Sequence, residues 1–183
     1  MTKEVLRKRI LARLRAQPVK YRRQRSLEIR KKLFSLQEFQ ESRNVCFYVS
    51  LPQEVNTRPM IRRALLLGKR VFVPRIDKKK SEISFRRIEN LKRDLEKGTF
   101  AIWEPKLRAT RAVAPSTLDL VVAPGLLFDR HNHRLGRGGG FYDRFLARLP
   151  RRVFKVGLGF SFQRISRLPR EAHDRKLDLV LVD

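Results

Sequence analysis

Four glycines stand within five positions, Gly136 to Gly140, inside the stretch Arg134-Leu135-Gly136-Arg137-Gly138-Gly139-Gly140-Phe141-Tyr142-Asp143. Glycine reaches positive φ without steric penalty and lets the main chain approach a ligand closely. Successive main-chain N–H groups in such a loop form an anion-binding concavity. Arg134 and Arg137 add fixed positive charge, Phe141 and Tyr142 add flat apolar surface, and Asp143 places a carboxylate where a helix begins. Together these residue types support a phosphate cradle with a metal ligand at its side. Two familiar phosphate loops are excluded. No Lys-Ser/Thr follows the glycines as a Walker A loop requires, and Phe141 stands where the dinucleotide fingerprint needs a third glycine.

Other residues able to do chemistry lie far from this stretch. Lys3 and Arg7 fall beside the apolar stripe Leu6, Ile10, Leu14 of a helix expected over 3–15. Their heads either point towards the body of the protein or snorkel over the rim of the core. Cations near a helix N-terminus oppose its dipole, so this placement calls for an anion. Glu54 follows the first strand, and ligands of open α/β sheets gather at the carboxyl ends of strands. Asp174 sits in a loop near the end of the chain. His131 and His133 are two apart with no nearby partner ligand, which suits a turn better than a metal site. Cys46 lies mid-strand, and no Ser-His-Asp or Cys-His arrangement is supported.

The elements that must position these groups follow from periodicity. After Pro18 a strongly basic helix is expected from Val19 to Leu36, then a short one to Glu41. The apolar run Asn44–Ser50 reads as a strand covered on both faces, hence part of a parallel sheet. Thr57 is expected to cap a helix that starts near Pro59 and ends at Leu67, with Gly68 at its C-terminus. Val71–Val73 is the second strand, which completes a βαβ unit. An edge strand is expected around Glu82–Ile88, and a turn or short helix over Asp94–Lys97. Phe100–Pro105, with the single tryptophan Trp103, reads as a packed loop or a pocket wall, and 108–116 as loop. Further strands are expected over Leu118–Ala123, Val153–Phe160 and Leu177–Val182, with a helix from Gly140 to Leu149. The fold class is α/β: one domain over 1–183, a mostly parallel central sheet flanked by helices, and a helical N-terminus.

The chain has 44 Lys and Arg against 18 Asp and Glu, a formal net charge of +26. Such a charge favours anionic partners: nucleotides, polyglutamate tails, or nucleic acid bound non-specifically. No apolar stretch reaches the roughly 18 residues of a membrane span, and no signal-peptide core follows the basic N-terminus. One cysteine excludes an intramolecular disulfide and suits a reducing cytoplasm.

Taken in order, Lys3 and Arg7, Glu54, Val71–Arg75, Pro124-Gly125, the Arg134–Asp143 stretch and His173-Asp174 resemble the 5-formyltetrahydrofolate cyclo-ligase family, also called 5,10-methenyltetrahydrofolate synthetase. The resemblance spans nearly the whole chain. It implies conversion of 5-formyltetrahydrofolate to 5,10-methenyltetrahydrofolate with Mg²⁺ and ATP, and a monomer in the cytoplasm is expected. Lys3, Arg7, Arg134, Gly136, Arg137, Gly138, Gly139, Gly140, Phe141 and Tyr142 would bind ATP. Asp143 and Asp174 would hold Mg²⁺, and Val49, Glu54, Trp103 and Tyr142 would contact the folate. Tyr142 and Arg137 would act closest to the reacting groups. Gly139 stands where some members carry lysine, and Phe141 replaces a frequent tyrosine. Two alternatives stay open: a basic RNA-binding protein on an α/β scaffold, and a folate-binding family member without turnover.

Overall fold

The computed structural model describes residues 1–77, 82–98, 102–108, 110 and 112–183. Phe100 and Ala101 of the expected apolar patch lie outside these residues. The chain opens with helices α1 (Lys3–Ala16), α2 (Val19–Ser35) and α3 (Gln37–Glu41). Thr2 caps α1 by accepting the Val5 N–H at 3.4 Å. Pro18 and Leu36, both extended, separate the three helices.

Strand β1 (Asn44–Phe47) pairs in parallel with β2 (Arg70–Asp77) after the crossover helix α4 (Arg58–Leu66). Gly68 follows α4 at φ 76°, as expected of the residue that ends a helix. Thr57 stands at the N-cap position, but its side chain does not cap. Its hydroxyl donates to Tyr48 O at 2.6 Å and accepts the Ser50 N–H at 3.1 Å, so it ties α4 to the end of β1.

Strand β2 then pairs antiparallel with β3 (Glu82–Ile88). The expected edge strand is next to the edge, because β6 (Ala112–Val113) pairs beyond it within the segment read as loop. Two further readings of local structure, the turn or short helix and the packed loop, are overturned together. Over Asp94–Lys97 the structure has strand β4 (Leu95–Lys97) in place of a turn or short helix. It pairs with β5 (Trp103–Pro105), which lies in the presumed loop. Asp94 ends the turn before β4 by accepting the Glu89 and Asn90 N–H groups at 2.7 and 2.8 Å.

Strand β7 (Leu120–Ala123) returns to the sheet centre. A hairpin of β8 (Leu127–Asp129) and β9 (Arg134–Leu135) follows, then α5 (Phe141–Ala147) and β10 (Phe154–Leu158). Strand β11 (Arg164–Ile165) joins β8, and β12 (Leu179–Leu181) joins β10. The main sheet runs β12-β10-β7-β1-β2-β3-β6, parallel from β12 to β2.

Alternation along the strands sends side chains to both faces. Val45, Phe47, Val71, Val73, Leu120 and Val122 pack with Ile10, Leu14, Ile29, Leu33 and Met60 of the helices. Cys46, Phe72, Val121 and Ala123 pack on the other face with Phe145 and Leu146 of α5 and with Phe128 of the hairpin. Tyr142 touches both clusters, at the seam above the sheet's carboxyl edge.

Candidate active site

The glycine stretch links β9 to α5 and curls over α1. Gly138 has φ 107° and Gly140 φ 65°, conformations that a side chain resists. The Arg7 guanidinium lies beneath, its Nε donating to Gly136 O at 3.0 Å. A Cβ at Gly138 would fall 3.6 Å from Arg7 Cζ, so α1 and the loop are in contact. At Gly139 a Cβ would meet the Phe141 ring at 2.7 Å, so a lysine there would have to displace that ring. Arg144 braces the loop, donating to Gly139 O at 2.9 Å and lying 5.2 Å from the Phe141 ring centre.

Arg134 is the buried cation of the site, with its side chain 3% exposed. Its Nη2 lies 3.0 Å from Asp143 Oδ1, an ion pair without hydrogen-bond alignment. Its guanidinium also stands 5.5 Å from the Tyr142 ring. Nε and Nη2 of Arg134 and the Tyr142 hydroxyl are buried without a hydrogen-bond partner. Unmet buried donors are rare in folded proteins and cluster where a ligand completes them. Burial pulls Arg134 below the ordinary guanidinium range, and Asp143 opposes it most strongly. Burial also pushes the Tyr142 phenol well up, so it stays protonated and able to donate.

Asp174 is brought to the same end of the sheet from the far end of the chain. Lys3 Nζ donates to its two oxygens at 2.7 and 3.0 Å and reaches Glu171 Oε1 at 3.1 Å. The anion required by a lysine in the first turn of α1 is therefore supplied by the protein, and Lys3 points inwards. Burial works against both charges of the pair. For Asp174 it is outweighed by Lys3 and the Glu171 N–H, which leave the carboxyl low. For Lys3, Asp174 and Glu171 outweigh it and raise the amine. The neighbouring Arg175 N–H reaches Asp143 Oδ1 at 3.3 Å, so the two aspartates border one site.

Glu54 joins the glycine loop to the cavity beside it. Its Oε1 accepts from Arg137 Nη2 at 2.8 Å and its Oε2 from the Leu51 N–H at 3.0 Å. It is one wall of a cavity of about 420 Å³ lined also by Arg22, Arg23, Ser50, Arg58 and Trp103. Arg58 stacks 5.2 Å from Trp103 and is pulled below its ordinary range by burial and by Arg62. Val49 does not face this space; it is 4% exposed within the core, directly before Ser50. Arg22, Arg23 and Arg58 escaped the sequence reading as site residues. In a chain this basic, arginines that border a cavity look the same as fully solvated ones. Arg22 and Arg23 lie near the start of α2 and Arg58 at the start of α4, so no single helical spacing marked the three.

A divalent metal fits this donor set. Asp143 and Asp174 are hard oxygen ligands on one side of the sheet, and Mg²⁺ commonly takes one or two carboxylates, with phosphate oxygens and water completing the sphere. Among the described residues no group of three or more His, Cys, Asp and Glu forms a self-sufficient metal cage. His131 and His133 form a hairpin turn, as their spacing suggested. No helix among the described residues is long and apolar enough to cross a membrane.

Comparison with known proteins identifies the family and the fold. The profile of the 5-formyltetrahydrofolate cyclo-ligase family matches residues 1–183. The mouse protein of that name is 32% identical over 189 residues, covering 99% of this chain and 93% of its own. The Haemophilus influenzae protein of that name is 32% identical over 151 residues, covering 81% and 80%. The solution structure of Aquifex aeolicus 5,10-methenyltetrahydrofolate synthetase superposes with a TM-score of 0.87 at 35% identity, over 100% of this chain and 90% of that one. The Mycoplasma pneumoniae 5,10-methenyltetrahydrofolate synthetase gives 0.79 at 26% identity, over 98% of both chains. With its whole length matched, the chain belongs to the 5-formyltetrahydrofolate cyclo-ligase family.

Proposed function

We propose that this protein, as a single domain over 1–183, cyclises 5-formyltetrahydrofolate to 5,10-methenyltetrahydrofolate with consumption of ATP, using the glycine loop as the triphosphate cradle. The observation that carries the assignment of the loop is the buried Arg134 guanidinium, whose Nε and Nη2 lack hydrogen bonds beside the equally unpartnered Tyr142 hydroxyl.

The reaction asks for a better leaving group than an amide oxygen. The formyl oxygen attacks the γ-phosphorus, and the bond from that phosphorus to the bridging oxygen of ADP breaks. N10 then attacks the formyl carbon and loses its proton. The carbon–oxygen bond breaks and phosphate departs, leaving the cationic methenyl bridge. Phosphoryl transfer of this kind depends on positioning and charge neutralisation more than on covalent help. Arg134, Arg137 and the N–H groups from Gly136 to Gly140 hold the phosphates, with Arg7 and Lys3 approaching from α1. The buried, unpartnered Tyr142 hydroxyl beside Arg134 would donate to an oxygen of the phosphoryl group as it reaches the formyl oxygen.

Mg²⁺ would be held by Asp143 and Asp174, and when bound it neutralises phosphate charge and draws electrons from the transferring group. Lys3 would then hand Asp174 to the metal and turn to phosphate. In the cavity, Glu54 accepts from the donor edge of the pterin and Trp103 covers its face. The core around Val49 supports that wall from behind. Arg22, Arg23 and Arg58 meet the carboxylates of the folate tail. The buried free thiol Cys46 fits a reducing compartment, and we assign the protein to the cytoplasm as a monomer.

Titration with a non-hydrolysable ATP analogue tests the cradle. Arg134→Met keeps the volume and removes the charge-assisted donors, which are worth about 1.5–3 kcal/mol, so affinity falls at least about tenfold. Unchanged affinity in a folded variant would remove Arg134 from the nucleotide site.

A further inference from the structure

Asp129 is wholly buried and has no part in the reaction described above. Its Oδ1 accepts the His131 N–H at 2.9 Å, the His133 N–H at 3.0 Å and His133 Nδ1 at 3.2 Å. Its Oδ2 accepts the Leu168 N–H at 3.3 Å. A neutral histidine that donates from Nδ1 keeps a lone pair on Nε2. Arg170 Nη1 lies 3.3 Å from that nitrogen and donates to it. The same turn grips the chain again further on. Asn132 O accepts the Leu177 N–H at 3.0 Å, and Asn132 Nδ2 donates to Asp178 O at 2.9 Å. Asn132 is the one non-glycine residue at positive φ, 64°, among the described residues.

The turn is itself anchored. Asp129 ends β8, where Phe128 is buried against glycines of the sheet. A Cβ at Gly157 would come within 2.7 Å of the Phe128 ring, and one at Gly159 within 2.9 Å. Both ends of the segment 168–178 are thus fastened to the hairpin, the C-terminal end also to β10, where Asp178 and Lys155 exchange main-chain and side-chain bonds, and Asp174 lies between them. The hairpin continues directly into Arg134, the partner of Asp143. Beyond the segment's own Glu171–Asp174 bonds, its fixed points towards the site are Lys3 on Asp174 and Glu171 and the Arg175 N–H on Asp143.

We infer that the β8–β9 turn is the positioning device of the acidic pair: Asp129, Asn132 and His133 place the Asp174 segment so that both aspartates face one ion. These three are positioning residues and touch neither substrate. The inference rests on the assignment of Asp143 and Asp174 to the metal. Loops fastened only at their tips lose conformational entropy when they bind, and fastening the base in advance removes that loss from the binding step.

The test is a calorimetric titration with a non-hydrolysable ATP analogue, with and without Mg²⁺. Asn132→Gly keeps the positive φ and the main-chain bond and loses only the side-chain tie to Asp178. Its affinity for the Mg²⁺ complex should fall about fivefold to tenfold, while affinity for the metal-free analogue and for 5-formyltetrahydrofolate stays within about twofold. Asp129→Asn, which loses the Leu168 tie, should show the same pattern more strongly if it folds. Equal losses with and without Mg²⁺, or no loss in folded Asn132→Gly, would overturn the inference. Asp174→Asn separates the two claims. If it too keeps the full Mg²⁺-dependent gain, the metal assignment itself is wrong. If it loses that gain and Asn132→Gly does not, only the positioning role falls.

Discussion

Asp143 receives the Arg175 N–H at 3.3 Å and stands 3.0 Å from the Arg134 guanidinium. Its two roles make two different predictions. Asp143→Asn keeps the shape and removes the charge needed by the metal, so kcat falls at least about a hundredfold and the Mg²⁺ response flattens. Both Asp143→Asn and Asp143→Ala also leave the buried Arg134 without its counter-charge, so urea unfolding should show a loss of about 3 kcal/mol in each. Wild-type turnover in either variant would exclude Asp143 from the site. Glu54 makes the complementary prediction on the folate side. Glu54→Gln should raise the KM for 5-formyltetrahydrofolate about tenfold and leave that for ATP nearly unchanged. A change confined to ATP would mean that Glu54 serves the loop through Arg137 alone.

At the scale of elements, the glycine loop and α1 act together. Gly138 tests this, because its neighbourhood leaves room for a methyl group while its φ of 107° does not favour one. Gly138→Ala should therefore cost about 1–3 kcal/mol through the backbone alone. Its thermal midpoint should fall by several degrees, about 2–4 °C per kcal/mol, with the KM for ATP rising more than that for folate. A variant as stable and as tight for ATP as the wild type would show that the loop relaxes freely.

The legibility of these elements in the sequence differs for physical reasons. The glycine stretch is local and compositionally extreme, so its conformation and charge could be read directly. The inward turn of Lys3 could not, because its partner Asp174 lies 171 positions away. Strands β4 and β5 escaped because each is three residues long and is held by its pairing and by bonds to Arg75 and Ile76 of β2, contacts distant in sequence. Thr57 looked like a helix cap because local spacing hides a bond to Tyr48 O across the chain reversal. His131 and His133 announced a turn, but the buried Asp129 that organises it carried no mark in the sequence.

Across the whole molecule, a parallel sheet covered on both faces was legible in the unbroken apolar runs, and the candidate site gathers at its carboxyl edge, with Val49 buried in the core instead. Two bulk predictions belong here. Hydrogen bonds and cations hold Asp94, Asp129 and Asp174 low in the folded state, in each case against burial, which is the largest single influence. A depressed folded value adds stability above the unfolded carboxyl range, and that stability is lost as pH falls through the folded value. Urea midpoints should thus be level near neutrality and drop below about pH 4; a midpoint that rose there would contradict these assignments.

The second prediction concerns the net charge of +26, much of it on exposed residues of α1 and α2 such as Arg9, Arg15, Lys20, Arg23 and Lys31. Binding to RNA should show a steep salt slope and disappear near physiological salt, as expected of counterion release alone. Binding that survived would revive the reading of the protein as an RNA-binding one.

The most direct measurement is the appearance of 5,10-methenyltetrahydrofolate, followed by its near-ultraviolet absorbance, when the purified protein meets 5-formyltetrahydrofolate. Product should form only with both ATP and Mg²⁺ present, with one phosphate released per bridge closed. Folate binding with no product at any Mg²⁺ concentration, or product formed without ATP, would contradict the account.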